Sequence, residues 1–198
     1  MPERFDRAAE ILLHGILDSA FPCAAVEVGR KDDVVWRRAF GTLTYDTAAT
    51  DAGLGTIFDL ASLTKIIATA TLAMRAADDG VLALDDEVRK WLPEWRGRDR
   101  QHVTIRDLLA HSSGLPAYLP FFRDHAGRVE FEPAVCHTAL EYAPGSQSVY
   151  SDLGFMLLAF IVEDARAGPA RRSGRMHPET TCTLSLHDAL PIYRKSVV

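Results

Sequence analysis

A serine and a lysine lie one helical turn apart in this chain, and a tyrosine follows far downstream. Ser62 and Lys65 form a Ser-x-x-Lys pattern, and Tyr150 begins a Tyr-Ser-Asp triplet. Because residues three apart on a helix share a face, the Lys65 amine can reach the Ser62 hydroxyl. A serine whose proton is taken up and returned by neighbouring groups can form an acyl-enzyme. The pattern predicts acyl transfer, with Ser62 as nucleophile and Lys65 and Tyr150 as proton-transfer groups.

Each of these residues also has an ordinary structural interpretation. Ser62 is a suitable N-cap, Lys65 can extend to solvent along an apolar surface, and Tyr150 can be a core residue. Ser-x-x-Lys alone is weak evidence and needs its context. His111, followed by two serines, suggests a serine–histidine pair instead. The chain has no G-x-S-x-G turn to carry such a serine, so His111 is interpreted as a structural loop residue.

Composition limits the classes of protein to consider. The 198 residues are 47% hydrophobic and 25% charged, which is enough for one globular core. A net charge of −5 gives no reason to expect nucleic acid or an anionic membrane as a partner. The sequence lacks a P-loop, an H-E-x-x-H motif and a dinucleotide-binding fingerprint, so no cofactor and no metal are expected.

The cysteines and the first residues bear on the compartment. Three widely spaced cysteines, an odd number without C-x-x-C, are typical of free thiols in a reducing environment. The first residues are charged and include no apolar segment of the signal-peptide type. These features predict a cytoplasmic protein.

Hydrophobic periodicity predicts the elements that position these residues. In chain order they are a helix from about residue 5 that ends near Phe21 and Pro22, a hairpin over 23–28 and 34–40, a helix over 62–77, a short helix after Asp85 or Asp86, a helix opened by the Thr104–Asp107 capping box, and a helix over about 152–165. The segment that begins at Ser62 is apolar on nearly every side, which is typical of a buried helix.

The last part of the chain differs from the rest in its sequence pattern. Residues 183–192 are the translation of a common short-read sequencing adapter, and residues 169–182 lack apolar periodicity. We therefore interpret residues 1–165 as the native part of a domain and residues 166–198 as a non-native tail.

Three ordered segments carry a family resemblance. Residues 58–65 read FDLASLTK, residues 107–116 read DLLAHSSGLP, and residues 142–154 read YAPGSQSVYSDLG. In this order they resemble the nucleophile segment, the L-L-x-H-x-S-G-L loop and the P-G-x-x-x-x-Y-S-N/D-x-G segment of the serine β-lactamase and penicillin-binding-protein superfamily. The most similar branch is the class C β-lactamase-related one, with family VIII esterases and D-alanyl-D-alanine carboxypeptidases.

The resemblance implies an α+β fold of the β-lactamase/transpeptidase type, with an antiparallel sheet flanked by helices, a helical subdomain and the active site between them. It implies that Ser62 forms the acyl-enzyme, that Lys65 and Tyr150 activate it, and that Asp152 binds substrate or orients the lysine. The family's third element, a K-T-G-like triplet, does not follow Tyr150 here. The expectation is an N-terminal fragment, incomplete at the C-terminus and inactive by itself.

Two functional interpretations stay open. The first is a serine hydrolase, whose acyl donor is an ester, an amide of the D-Ala peptide type or a β-lactam, with transfer to water or another acceptor. The second is a non-catalytic relative that binds peptidoglycan fragments or a protein partner in the same cleft. Retention of Ser62, Lys65 and Tyr150 favours catalysis, because a binding module needs none of the three for its chemistry.

Overall fold

The computed structural model describes residues 4–168, which form two compact units divided between Asp59 and Leu60. All of the candidate site residues belong to the second unit. Within residues 4–168, no helix is long and apolar enough to cross a membrane. The proposed tail lies outside the described residues from position 169 onward, so its non-native origin stays a prediction.

The first unit consists of one helix and a hairpin. Its elements are α1 (Asp6–Leu17), β1 (Cys23–Arg30) and β2 (Asp33–Gly41). The strands pair antiparallel, as the short apolar segment and the β-rich segment around a turn predicted, with Arg30 opposite Asp33 across a two-residue turn. Helix α1 packs on β2, and just before this helix the ring of Phe5 stacks on Trp36 at 5.0 Å. Among the described residues the sheet has two strands.

The second unit is helical. Its elements are a π-helical segment (Lys65–Ala70), α2 (Thr71–Asp78), α3 (Val88–Trp91), α4 (Ile105–Leu109), a 3₁₀ turn (Phe121–Arg123), α5 (Gly127–Cys136) and α6 (Asp152–Ala167). Helix α6 is the centre of this unit, because residues 153–162 are all buried and the other α-helices pack against it. A helix that is apolar on all sides has to be covered on all sides.

The capping box at α4 forms as the sequence predicts. The Thr104 side chain accepts from the Asp107 amide, while the Asp107 carboxylate accepts from the Thr104 amide at 2.9 Å. The two contacts satisfy backbone donors that a helix start otherwise leaves without partners. Helix α4 therefore begins at Ile105, and the loop that follows it starts at a fixed place.

Helix α5 was not predicted from the sequence. Gly127 at its start and Pro133 inside it both disfavour a helix locally. Tertiary contacts overcome this preference, because Cys136 is fully buried and the guanidinium of Arg100 donates to its carbonyl at 2.9 Å. Arg100 also donates to the carbonyl of Thr138 at 2.8 Å, so one buried side chain satisfies acceptors at the end of the helix.

The prediction that the helix after Ser62 is buried is wrong for the described residues. One face, with Ala73 and Ala76, is buried on the side of α6. The opposite face is exposed and apolar, with Leu63, Ile66, Ile67 and Met74 each more than half exposed. Composition therefore could not show which face packs, because both faces carry apolar side chains.

Candidate active site

Ser62 lies in an exposed turn at the start of the π-helical segment. Ala61, directly before it, has a φ of +44°, which is uncommon for a residue other than glycine. The carbonyls of Leu60, Ala61 and Ser62 accept from the amides three residues later, at 2.9, 3.1 and 3.1 Å, so Ser62 lies within the first turn of hydrogen bonds. The left-handed conformation of Ala61 turns the chain sharply, so Ser62 lies at the N-terminal end of the helical segment.

Lys65 bridges the serine and a carboxylate. Its Nζ lies 3.3 Å from Ser62 Oγ and 2.7 Å from Asp152 Oδ1. The Lys65 and Asp152 side chains are only 14% and 24% exposed, so water competes weakly for this charge-assisted contact. Of the two positions that the resemblance allowed for Asp152, the structure places it against the lysine. The ion pair holds the ammonium beside the hydroxyl.

The start of α6 fixes Asp152. Ser151 is the N-cap, since its Oγ accepts from the Gly154 amide at 3.2 Å and donates to the Pro116 carbonyl at 2.7 Å. The Asp152 amide donates to the carbonyl of Ala117 at 2.9 Å. A carboxylate in the first helical turn is favoured by the helix dipole. Two bonds to the 116–117 segment therefore set the direction from which Asp152 meets Lys65.

Tyr150 stands between the lysine and a histidine. Lys65 Nζ lies over the tyrosine ring, 5.1 Å from its centre, in cation–π geometry. The ring of His111 packs on the same side chain with centroids 4.6 Å apart. Tyr150 is 54% exposed, so its hydroxyl end is accessible to a ligand. The structure thus brings Ser62, Lys65, Tyr150 and Asp152 into one connected cluster.

His111 belongs to this cluster, although its sequence interpretation was that of a loop residue. Its backbone is left-handed, with a φ of +57°, and its carbonyl accepts from Tyr142 Oη at 3.1 Å and from the Val149 amide at 2.9 Å. The Ser151 amide donates to His111 Nδ1 at 2.9 Å. In the sequence, His111 could be singled out by its position in the 107–116 loop segment. The sequence alone did not show that this loop contacts Tyr150.

Within residues 4–168, no three His, Cys, Asp or Glu side chains stand together as a metal-binding group. Cys136 is buried, and burial raises the pKa of its thiol to about 12, so it is an unreactive core residue. The chemistry available in this cluster is therefore that of a hydroxyl, an ammonium, a phenol, a carboxylate and an imidazole.

Comparisons with known proteins show the family of the chain. The family model for beta-lactamase matches residues 5–174. An Escherichia coli K12 protein named "Putative D-alanyl-D-alanine carboxypeptidase" is 32% identical over 178 residues, covering 79% of this chain and 40% of the relative. The chain therefore spans about two fifths of the length of the curated relatives it matches.

Solved structures show the same fold. A class C beta-lactamase in complex with cefoxitin is 25% identical, with a TM-score of 0.70 over 83% of this chain and 45% of that one. A beta-lactamase/D-alanine carboxypeptidase from Pseudomonas syringae, at 19% identity, has a TM-score of 0.69 over 87% of this chain and 48% of that one. The fold is the β-lactamase/transpeptidase-like α+β fold that the resemblance implied, and the chain belongs to the beta-lactamase family.

Proposed function

We propose that the whole protein, of which residues 1–165 form the N-terminal part, is a serine hydrolase that acts through an acyl-enzyme on Ser62. The observation that carries this proposal is the position of Lys65 Nζ, which contacts Ser62 Oγ and Asp152 Oδ1 at once and lies over the ring of Tyr150. A lysine that only extends to solvent would not make these three contacts, and a serine that only caps a helix would not require an ammonium beside its hydroxyl.

The proposed reaction has two half-reactions. Ser62 Oγ forms a bond to the substrate carbonyl carbon, and the bond from that carbon to the leaving oxygen or nitrogen breaks. The proton of Ser62 passes to the unprotonated member of the Lys65–Tyr150 pair, a neutral amine or a phenolate, and from this pair to the leaving group. Water then adds to the acyl carbon and returns a proton to Ser62 Oγ, and the carboxylic acid leaves. The dipole at the helix start favours the negative charge that develops near Ser62.

Asp152 is proposed to orient the lysine in this cycle. Its carboxylate balances the ammonium charge and fixes the direction in which Nζ approaches Ser62. The carboxylate does not need to change its own protonation state. Lys65 and Tyr150 are the groups proposed to carry the proton.

The names of the similar proteins support two substrate classes. The Escherichia coli relative is named as a D-alanyl-D-alanine carboxypeptidase, and one structural neighbour holds the β-lactam cefoxitin. Both classes present a carbonyl next to a nitrogen leaving group. We propose a small-molecule acyl donor of this kind, a D-Ala peptide or a β-lactam, with simple esters as further substrates.

Covalent labelling tests the proposal. The full-length protein, incubated with a fluorophosphonate or β-lactam probe and analysed by mass spectrometry, is expected to gain one adduct on the peptide that contains Ser62. A reversible ligand complex without an adduct would instead favour the non-catalytic interpretation. An adduct on another serine would overturn the assignment of Ser62.

Exchanging Asp152 for asparagine is expected to slow acylation by about ten- to a hundredfold, because Lys65 loses its counter-charge in a weakly hydrated site. The measurement is the rate of adduct formation under single-turnover conditions. Asp85→Asn is the matched control, since its carboxylate pairs with Arg106 at 2.8 Å but is 79% exposed. An exposed pair contributes little, so that variant should label at the wild-type rate. Equal rates for both variants would contradict the role of Asp152.

Gly114 is expected to be essential to the loop that carries His111. Its φ is +90°, and an added Cβ would meet the Tyr142 carbonyl oxygen and the Leu140 side chain. Gly145 has a similar φ of +76° but open space around it. Gly145→Ala should therefore cost about 1 kcal/mol from the backbone alone, and Gly114→Ala about 1–3 kcal/mol more from the steric clash. Urea unfolding of the full-length protein measures both, and equal losses would contradict the clash.

A further inference from the structure

We propose that His111 is a positioning residue whose neutral ring holds the Tyr150–Ser151–Asp152 corner, and that protonation of this ring releases the corner and turns the site off. The inference rests on the proposed function for its effect on turnover. The contacts themselves do not depend on it. They are a hydrogen bond to a backbone amide and two ring contacts.

The hydrogen bond fixes the chemical state of the ring. A backbone N–H is always a donor, so His111 Nδ1, at 2.9 Å from the Ser151 nitrogen, must supply a lone pair. The ring in this structure is therefore the neutral tautomer with its proton on Nε2. An imidazolium has a proton on both nitrogens and cannot accept this bond. Protonation would leave the Ser151 amide facing a second donor.

Two aromatic rings pack on the His111 ring. The centroid of Tyr150 lies 4.6 Å away and that of Phe155 4.8 Å away, and Phe155 is buried. The His111 carbonyl is held by Tyr142 Oη and by the Val149 amide. These two bonds hold the His111 backbone in place, and the ring contact with Tyr150 restrains the position of the Tyr150 side chain. Tyr150 lies one residue before the N-cap Ser151, so a shift at the Ser151 amide moves both neighbours.

The charges around the ring oppose a second proton. Burial lowers the pKa of His111 below its ordinary value of 6.5, and the Lys65 ammonium lowers it further. The Asp152 carboxylate acts in the opposite direction. Tyr150 faces the ring from the 142–150 segment, and Asp107 of α4 is engaged with the Thr104 and Ser112 hydroxyls. The neutral ring is therefore the stable state at neutral pH.

The sign of the pH effect follows. Between the lowered pKa of the folded state and the ordinary 6.5 of the unfolded chain, the unfolded state binds more protons. Stability is therefore complete above 6.5 and declines as the pH falls below it. The corner of the folded protein stays ordered until the pH falls to the lowered pKa of His111, where the ring takes up its second proton. Acid inactivation of the folded protein at that lower pH would come from protonation of the His111 ring.

Two substitutions at His111 separate the hydrogen bond from the ring contact. His111→Phe keeps a ring against Tyr150 but removes the acceptor, whereas His111→Asn keeps an acceptor near the Nδ1 position and tolerates a positive φ. In the full-length protein at about pH 8, His111→Phe should lower kcat about tenfold with little change in KM, and His111→Asn should recover most of that loss. The acid limb of kcat should shift to lower pH in both variants.

The control is His102→Asn, because the His102 side chain is 75% exposed and pairs only with Glu87 and Gln101 at the surface. This variant should keep the wild-type acid limb. An acid limb that stays in place in His111→Asn, or full kcat in His111→Phe, would overturn the proposal.

Ring-nitrogen NMR of the wild-type protein tests the inference without any assay of turnover. His111 should show the Nε2–H tautomer and a pKa below 6.5, and the Ser151 amide should exchange faster with solvent as the ring becomes protonated. An Nδ1–H tautomer, or a Ser151 amide indifferent to that titration, would overturn the proposal even if Ser62 labels normally. Failure of Ser62 labelling with these NMR signatures intact would instead count against the proposed function alone.

Discussion

Replacing Ser62 by alanine in the full-length protein is expected to abolish covalent labelling and to remove turnover. The substituted side chain has no oxygen to form the acyl bond, and neither Lys65 nor Tyr150 can replace it in the proposed path. The measurement is mass spectrometry of the probe-treated variant, together with hydrolysis of a p-nitrophenyl ester. Ser146→Ala is the control, because Ser146 is an exposed serine whose hydroxyl bonds only to the Ala143 carbonyl.

The proton-transfer groups should behave as a unit with the nucleophile. Lys65→Ala and Tyr150→Phe are each expected to lower turnover by several orders of magnitude, and combining them with Ser62→Ala should add little. Lys90→Ala serves as the lysine control, since that side chain is 54% exposed and pairs with Asp86, a residue outside the candidate site. Persistent labelling of Ser62→Ala would show that another residue is the nucleophile.

The second large effect concerns residues 1–198 expressed alone, which we expect to be incompetent as an enzyme. Among the described residues the sheet has two strands, and a hairpin of this size is marginally stable without further strands. Apolar side chains are exposed beside the site, among them Ile66 and Ile67 at 66% and 56%. Large exposed apolar areas promote association. The expected product is insoluble or molten material.

Thermal unfolding, gel filtration and hydrolysis of a p-nitrophenyl ester or a chromogenic β-lactam measure this expectation. We predict no sharp unfolding transition and negligible hydrolysis, whereas the full-length protein should show both a cooperative transition and turnover. A soluble monomer with a cooperative transition and Ser62-dependent hydrolysis would contradict the prediction. It would also show that residues 166–198 belong to the working protein.

Local sequence determined the pieces of the site whose causes are local. Ser62 and Lys65 are three residues apart, so a helix alone brings their side chains together, and the structure has Nζ 3.3 Å from Oγ. The Thr104–Asp107 capping box and the Ser151 cap likewise depend on neighbours within three residues. The hairpin followed from an apolar, strand-like segment and a β-rich segment on either side of a turn. These features needed no knowledge of the rest of the chain.

Tertiary structure alone decided the contacts between distant segments. The Lys65–Asp152 ion pair and the His111–Ser151 hydrogen bond each join segments that no periodicity connects. They form because the 116–117 segment is tied to the start of α6, which brings the loop after α4 against Tyr150. The sequence and the family resemblance could name Lys65, Tyr150 and Asp152 as candidates. The role of His111 depended on where its ring comes to lie.

Burial also escaped local prediction, for a related reason. Helix α5 contains Gly127 and Pro133, and it forms because Arg100 and the core compensate for their poor propensity. The π-helical segment Lys65–Ala70 is apolar on both faces, so its composition cannot tell which face packs on α6. Local patterns determine which residues can share a face, whereas only the packed neighbours determine which face is covered and which charges meet.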